Sequence, residues 1–247
     1  MDWTDQGIVL TRRHHGEAAA VVTLLTREHG RHAGLVRGGG GKRGSALYQA
    51  GNLLSAHWRG RLSEHLGTFT TELVQSFAAR ALDDPLRLAG LTAACALLET
   101  ALPEREPHAP LFEATLELLR VVDTAAEPPE WGAAYVRWEL RCLAEMGFGL
   151  DLERCAVTGA GEGLAFVSPR TGRAVSGEAG AEYAERLLVL PGFLLRAGAA
   201  PTLRAVADGL HLTGHFLERF VLAPQDRRLP PARLRFVERW RRARAAD

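Results

Sequence analysis

Basic side chains concentrate around a glycine-rich segment near the N-terminus. Four consecutive glycines at 38–41 separate Arg37 from Lys42 and Arg43. Glycine lets a backbone approach a ligand closely, and guanidinium and ammonium groups bind phosphate oxygens. The spacing therefore predicts a loop that contacts the phosphates of a nucleic acid. A loop that only keeps the surface solvated is the alternative.

Charge is unevenly distributed along the chain. Residues 1–61 hold nine basic and four acidic residues, residues 81–154 hold six and fourteen, and residues 219–247 hold nine and three, although the whole chain has a net charge of +1. Two basic ends around an acidic middle favour an anionic partner for the ends, with a solvated surface as the alternative. The candidate DNA-contacting residues are Arg12, Arg31, Arg37, Lys42, Arg43, Arg59, Arg61, Arg239 and Arg242.

Three aromatic residues of the N-terminal segment, Tyr48, Trp58 and Phe69, are candidates to stack on exposed bases. Burial in a hydrophobic core is the alternative, because large aromatic side chains dominate protein cores. Aromatic residues make up only 7% of the chain. This composition favours sequence-tolerant contact with the sugar–phosphate backbone over recognition of base edges.

Residues suited to metal binding or catalysis are few. His211 and His215 are four residues apart on a predicted helix, which suits two metal ligands, but no third ligand lies nearby in sequence. Asp83 and Asp84 could suggest a metal-dependent nuclease, yet Pro85 directly after them favours a helix N-cap. We therefore predict no enzyme activity, no metal site and no cofactor.

The hydrophobic pattern indicates the elements that would position these side chains. Apolar runs between glycine-containing turns predict five strands, at residues 7–12, 19–26, 31–37, 52–59 and 66–74. Five short strands suit a small closed barrel, of which the OB-fold is a common type. Helical periodicity then predicts helices at residues 85–102, 110–122, 131–146, 181–188, 202–222 and 231–244.

These elements predict an α+β protein with two domains. Residues 1–80 would form the OB-fold barrel, and residues 81–247 a helical domain with a small hairpin insert at 155–180. No apolar run is long enough to span a membrane, and the N-terminus lacks the features of a secretory signal. Three widely spaced cysteines imply no disulfide framework, so we expect a cytoplasmic protein.

Two blocks of sequence resemble RecO, a bacterial family of recombination mediators. They are GIVLTRRHHGEAAAVVTLLTREHGRHAGLVRGG near the start and YVRWELRCLAEMGFGLDLERCAVTG in the helical part. The order of modules is also similar, from OB-fold barrel to helical body, hairpin insert and further helices. The resemblance implies a non-enzymatic protein that binds single- and double-stranded DNA and anneals complementary strands. It also implies three partners: RecR, the tail of single-stranded DNA-binding protein (SSB) and, indirectly, RecA, which is loaded on SSB-coated strands.

The hairpin insert departs from the pattern of many relatives, which carry a four-cysteine zinc site there. Cys155 is kept, but Thr158 stands at the second ligand position, and Ser176 and Ala179 replace the later pair. A structural zinc ion needs four ligands, so we expect a degenerate insert without zinc, held by apolar contacts of Phe166 and Val167.

The family's binding pocket for the SSB tail lies in the helical body. An acidic tail that ends in an aromatic residue requires a cation beside an apolar pocket. Arg137 matches the cation, and Leu116, Leu119 and Leu140 are expected to line the apolar part. A pure protein adaptor, which binds acidic partner tails without direct DNA binding, is the alternative function.

Overall fold

In the computed structural model, residues 1–62, 64–196 and 198–245 are described. The chain divides into two compact units. Met1–Asp123 and Pro230–Phe236 form the first unit, and Thr124–Leu229 and Val237–Asp247 belong to the second.

Five strands of the first unit close into a barrel in the order β1-β2-β3-β5-β4. The strands are β1 (Asp2–His15), β2 (Ala19–Thr26), β3 (Gly30–Arg37), β4 (Leu53–Arg59) and β5 (Thr68–Gln75), with a short helix α1 (Lys42–Leu47) between β3 and β4. All neighbouring pairs are antiparallel except β3 and β5. The parallel pair closes the barrel at a single register position, Leu35 opposite Thr68.

Alternation along the strands places one set of side chains inside this barrel. The interior includes Trp58 and Phe69, which pack among small aliphatic residues of β1 to β4. Glycines make room for the two rings. A Cβ atom at Gly34 would lie 2.4 Å from the Phe69 ring, and one at Gly67 would lie 2.4 Å from the Trp58 indole. Gly67 also has a φ of +60°, a conformation that a side chain disfavours.

Three helices follow the barrel in the first unit: α2 (Ala78–Ala81), α3 (Pro85–Ala101) and α4 (Ala109–Thr124). Asp84 caps α3 by accepting hydrogen bonds from the backbone N–H groups of Leu86 and Arg87, and Pro85 occupies its first turn. Thr11 and Arg13 of β1 donate to the Glu99 carboxylate of α3. Helix α3 is thereby tied to the outside of the barrel.

The second unit is mainly helical and contains a small three-stranded sheet. Helix α5 (Pro128–Glu145) packs on α7 (Leu203–Phe216), which continues as a π-helical segment, Leu217–Leu222. Strands β6 (Leu164–Val167), β7 (Ala174–Ser176) and β8 (Leu188–Val189) form the sheet, with α6 (Gly177–Gly180) and the 3₁₀ turn Ala181–Arg186 before β8. Shorter 3₁₀ turns span Gly192–Leu194 and Ala223–Gln225, and α8 (Pro231–Ala245) ends the chain with residues of both units.

The α+β class and the five N-terminal strands are confirmed, with several local differences. Strand β1 begins five residues earlier than predicted, because Asp2 to Gln6 pair with β4. The segment 181–188 is a 3₁₀ turn and a strand instead of a helix, and the hairpin insert gains β8 as a third strand. In the described residues, no helix combines the length and apolar character needed to cross a membrane.

Candidate nucleic-acid interface

Basic residues lie on the outer face of the barrel on both sides of the β3–β5 closure. Val36, Phe69 and Trp58 point inward, so their neighbours Arg37, Thr68 and Arg59 point outward. Leu35 pairs with Thr68, which in turn pairs with Arg59. At about 4.8 Å per strand spacing, Arg59 therefore lies roughly 10 Å from Leu35 across the sheet, and Arg37 follows Leu35 by about 7 Å along β3.

Five of these cations form what we call the basic track: Arg37, Lys42, Arg43, Arg59 and Arg61. All five are exposed. Lys42 and Arg43 begin helix α1, only five residues after Arg37. Within the ranges that the structure describes, none of the five forms an ion pair with a carboxylate. Their charges are thus available to an external anion.

Arg12 and Arg31 are bound to neighbouring parts of the protein instead. Arg12, on β1, donates to the Gly39 carbonyl at 2.8 Å and to Oγ of Ser45 at 3.3 Å. These hydrogen bonds connect the glycine-rich loop and the start of α1 to β1. Arg31 donates to the Leu102 carbonyl at 2.9 Å, lies 3.4 Å from the Glu104 carboxylate and has a side chain that is only 13% exposed. The structure gives both residues a supporting role, and their contact with DNA stays a prediction.

The C-terminal candidates lie on helix α8, in the part that belongs to the second unit. Arg239 and Arg242 are exposed, and Arg242 donates to the Glu238 carboxylate at 3.0 Å. Phe236 and Trp240 are buried on the other face, and the Trp240 indole N–H donates to the Leu203 carbonyl at 3.0 Å.

The hypothesis that aromatic residues stack on bases is wrong for all three candidates. Tyr48, Trp58 and Phe69 are buried in the barrel core. Trp58 is only 1% exposed, and its indole N–H donates to the Leu66 carbonyl at 3.0 Å. Gly34, which makes room for the Phe69 ring, is 35 residues away in sequence, whereas Gly60 and Gly67, which make room for Trp58, are two and nine residues away.

The β4–β5 loop, residues 60–67, borders the basic track and is held by several hydrogen bonds. Arg105 Nη2 donates to the carbonyls of Glu64 and His65 at 2.9 and 3.2 Å. The Leu35 N–H donates to the Gly67 carbonyl at 3.0 Å, and the Gly60 N–H to that of Met1 at 3.0 Å. Arg105 itself has a φ of +61°, unusual for a residue with a side chain. Sequence reasoning did not identify this anchor.

His32 is a second residue that the sequence analysis missed, and it lies inside the barrel. Its ring packs edge-on against Trp3 and Trp58, with centroids 5.0 Å apart in each case. Both ring nitrogens lack a hydrogen-bond partner in the described structure. Burial, together with the positive charge of Arg105 and a smaller effect of His29, lowers the pKa of His32 to about 4. The imidazole is therefore neutral at pH 7.

Two of the four residues expected to form the tail pocket are buried, and the pocket itself stays a prediction. Leu116 and Leu119 are buried within the first unit, so they do not line an accessible pocket, contrary to the prediction. Arg137, on α5 of the second unit, is exposed and Leu140 is half-buried. Arg137 donates to the Phe193 carbonyl at 2.9 Å and lies over the Phe193 ring, 5.3 Å from its centroid.

A groove of about 810 Å³ opens elsewhere in the second unit. Its walls come from the segment before β6 and from the turn that follows β8. The lining residues are Leu152, Glu153, Gly161, Glu162, Gly163, Leu164, Leu194, Leu195 and Arg196. Apolar residues and both charge signs therefore meet in this groove.

Hydrogen bonds surround Cys155 in the hairpin insert. The backbone N–H groups of Ser176 and Thr158 donate to Cys155 Sγ at 3.2 and 3.5 Å, and the thiol lies within 3.6 Å of Ser176 Oγ. The hydrogen bond with the Thr158 side chain lowers the pKa of Cys155 to about 6, with smaller contributions from Ser176 and with burial acting in the opposite direction. One thiolate with hydroxyl neighbours does not fit a tetrahedral structural zinc ion.

No group of three or more His, Cys, Asp or Glu side chains suited to hold a metal ion is found among the described residues. His215 Nε2 donates a hydrogen bond to the Pro169 carbonyl at 2.9 Å, so this nitrogen carries a proton and is not free to bind a metal ion. The absence of a metal site and of a cofactor stays a prediction.

Comparison with known proteins gives a consistent family assignment. The model of the RecO N-terminal domain, "Recombination protein O N terminal", matches residues 1–77, and "Recombination protein O C terminal" matches residues 82–228. The chain belongs to the RecO family. The two RecO matches together cover the strands of the barrel, helices α3–α5 and α7, and the small sheet.

Curated RecO relatives are similar over their whole length. The protein named DNA repair protein RecO from Rhodospirillum rubrum is 54% identical and covers 100% of this chain and 99% of its own. Its namesake from Rhodospirillum centenum is 53% identical, with 98% and 96% covered, and one from Cereibacter sphaeroides is 50% identical, with 98% and 100% covered. The RecO resemblance inferred from sequence is confirmed.

Proposed function

We propose that this protein binds DNA through the basic track and acts as a mediator in recombinational repair. Membership of the RecO family gives the role in DNA repair and recombination. The observation that carries the DNA-binding proposal is the set of five exposed cations of β3, β4, α1 and the β4–β5 loop, none of which is paired with a carboxylate in the described part of the chain. Such cations bind phosphates without regard to sequence.

The proposed mechanism is electrostatic. Two DNA strands repel each other through their phosphates, and cations that neutralise part of that charge let complementary strands meet. The strand order β1-β2-β3-β5-β4 in a closed five-stranded barrel supports assignment to the OB-fold, a type that binds oligonucleotides. In this proposal, the barrel of residues 1–80 binds single- and double-stranded DNA, and no covalent step or cofactor is required.

We further propose that residues 81–247 serve the protein partners. The expected partners are RecR and the SSB tail, with RecA loaded indirectly on SSB-coated strands, and the expected location is the cytoplasm. Arg137 beside Phe193 remains our candidate for contact with the tail, because a guanidinium over an aromatic ring can bind a carboxylate next to an apolar group.

A double substitution tests DNA binding. Lys42→Ala/Arg43→Ala removes two exposed cations from the basic track, and affinity for all oligonucleotide sequences should fall alike. Arg173→Ala is the matched control, because Arg173 is a half-exposed cation of the second unit that is paired with Asp151 at 3.3 Å. Loss of affinity for only some sequences would contradict contact with the DNA backbone.

A labelled oligonucleotide and a labelled acidic tail peptide, titrated separately, distinguish the proposal from the alternative adaptor. The proposal expects binding of both ligands, with the oligonucleotide affected by the Lys42→Ala/Arg43→Ala change. Binding of the peptide alone would favour an adaptor that does not contact DNA.

A further inference from the structure

We propose that Leu62 and Leu66 of the β4–β5 loop press against the bases of a single DNA strand and hold them unstacked. The inference rests on the proposed function, since it assumes that the strand's phosphates lie on the basic track. It adds a contact with bases that the buried aromatic residues do not supply.

Both leucines expose a large part of their surface. Leu62 is 45% and Leu66 40% exposed, although the barrel core lies directly beneath the loop at Trp58. A single exposed leucine is common on protein surfaces. Two in one loop, next to the exposed cations Arg59 and Arg61, combine an apolar contact with charges that attract a polyanion.

Hydrogen bonds fix the backbone that carries the two side chains. The Leu66 carbonyl accepts from the Trp58 indole at 3.0 Å, and the Leu62 carbonyl accepts from the His65 N–H at 3.2 Å. Arg105 binds the two carbonyls between them, and the Met1 ammonium donates to the Gly60 carbonyl at 2.8 Å. Trp58 fills the barrel core beneath them. Binding to bases costs less conformational entropy when the backbone of the contacting residues is already held by hydrogen bonds.

The position of the loop suits contact with bases. Gly67 lies at the end of the loop, and its carbonyl accepts a hydrogen bond from the Leu35 N–H. Leu35 is the residue of β3 that closes the barrel, so the end of the loop lies between the strands that carry Arg37 and Arg59. Leu62 directly follows Arg61, and Leu66 lies two residues before Thr68, the β5 partner of Arg59, so bases of a strand whose phosphates touch Arg59 and Arg61 are expected to reach both leucines. Leucine side chains can act as wedges between neighbouring bases, and the cost of unstacking is lowest for a strand that is already single. The expected ligand is therefore single-stranded nucleic acid of any sequence.

The test uses the full-length protein and two oligonucleotides of equal length. One is an oligothymidylate, and the other has abasic sites in place of the bases, so that only the first can contact the leucines. Wild type should bind oligothymidylate roughly tenfold more tightly than the abasic strand, given the apolar area that two leucines can bury. Leu62→Ser/Leu66→Ser should lose most of that difference and leave the abasic affinity unchanged.

Matched variants make the result specific. Leu62→Met/Leu66→Met should retain the preference for bases, and Leu82→Ser, which changes a 53% exposed leucine outside the barrel, should behave as wild type. A strand containing 2-aminopurine should brighten on binding to wild type, as its base unstacks, and brighten less with the serine variant.

Two outcomes would overturn the inference in distinguishable ways. If the serine variant binds both strands as wild type does, while Lys42→Ala/Arg43→Ala weakens both, the leucines do not contact bases and the DNA-binding proposal stands. If wild type binds neither strand, the proposed function fails and the inference fails with it.

Discussion

The Arg105 guanidinium donates a 2.9 Å hydrogen bond to the carbonyl oxygen of Glu64. This contact joins two segments that are 41 residues apart in sequence, and a second bond to the His65 carbonyl strengthens it. The loop that borders the basic track therefore depends on a residue from outside the barrel strands.

Arg105→Ala should destabilise the protein by about 1–3 kcal/mol, because it removes hydrogen bonds from a charged donor to two backbone carbonyls. Urea unfolding measures the change. Arg173→Ala, which breaks a half-exposed ion pair, should cost at most about 1 kcal/mol. Equal stability of Arg105→Ala and wild type would show that the loop does not depend on this anchor.

His32 should make the stability of the barrel sensitive to acid. Its pKa is about 4 in the folded protein and about 6.5 in the unfolded chain. The unfolded chain therefore binds a proton first as the pH falls. The neutral His32 makes its full contribution to the free energy of unfolding above pH 6.5. This contribution, about 3 kcal/mol, is lost progressively as the pH falls to about 4.

His32→Leu removes this effect and the unpartnered ring nitrogens. Denaturant unfolding from pH 7 to pH 4 should show wild type losing stability relative to His32→Leu across that interval. His14→Leu, a change at an exposed histidine of β1, serves as the control and should follow wild type. Parallel curves for wild type and His32→Leu would contradict a buried neutral imidazole.

Cys155 should be the one cysteine that ionises near neutrality. Burial raises the pKa of Cys95 to about 12 and that of Cys142 well above its usual value, whereas hydrogen bonds lower the pKa of Cys155 to about 6. Thiolate absorbance at 240 nm should therefore rise by one thiolate per chain between about pH 5 and pH 7. The stabilisation that these hydrogen bonds give the thiolate is lost as the pH falls through about 6.

Cys155→Ser should abolish that titration, and zinc analysis of the purified protein should find less than one zinc per chain. A titration that persists in Cys155→Ser, or one that corresponds to two thiolates, would contradict the assignment to Cys155.

The parts of the fold set by local pattern were predictable. Apolar runs between glycine-containing turns indicated the five strands, and Asp84 followed by Pro85 indicated the start of α3. Helical periodicity at residues 231–244 indicated α8. In each case the signal lies within a few residues of the element it describes.

Features that depend on distant partners were not predictable from one sequence. The Phe69 ring fits into the core because Gly34, 35 residues earlier, makes room for it, and Arg31 is held by Leu102 on a later segment. The candidate DNA-contacting residues of the barrel therefore separate into the basic track and two supporting arginines, Arg12 and Arg31. Their residue types alone do not distinguish these roles.

The salt dependence of DNA binding tests the central claim most directly. If the five cations of the basic track each contact a phosphate, a plot of log affinity for a single strand against log salt concentration should have a slope of about −3.5. Lys42→Ala/Arg43→Ala should reduce the slope to about −2, and Arg173→Ala should leave it unchanged. A flat response in wild type, or a slope unaffected by the double substitution, would contradict phosphate binding by the basic track.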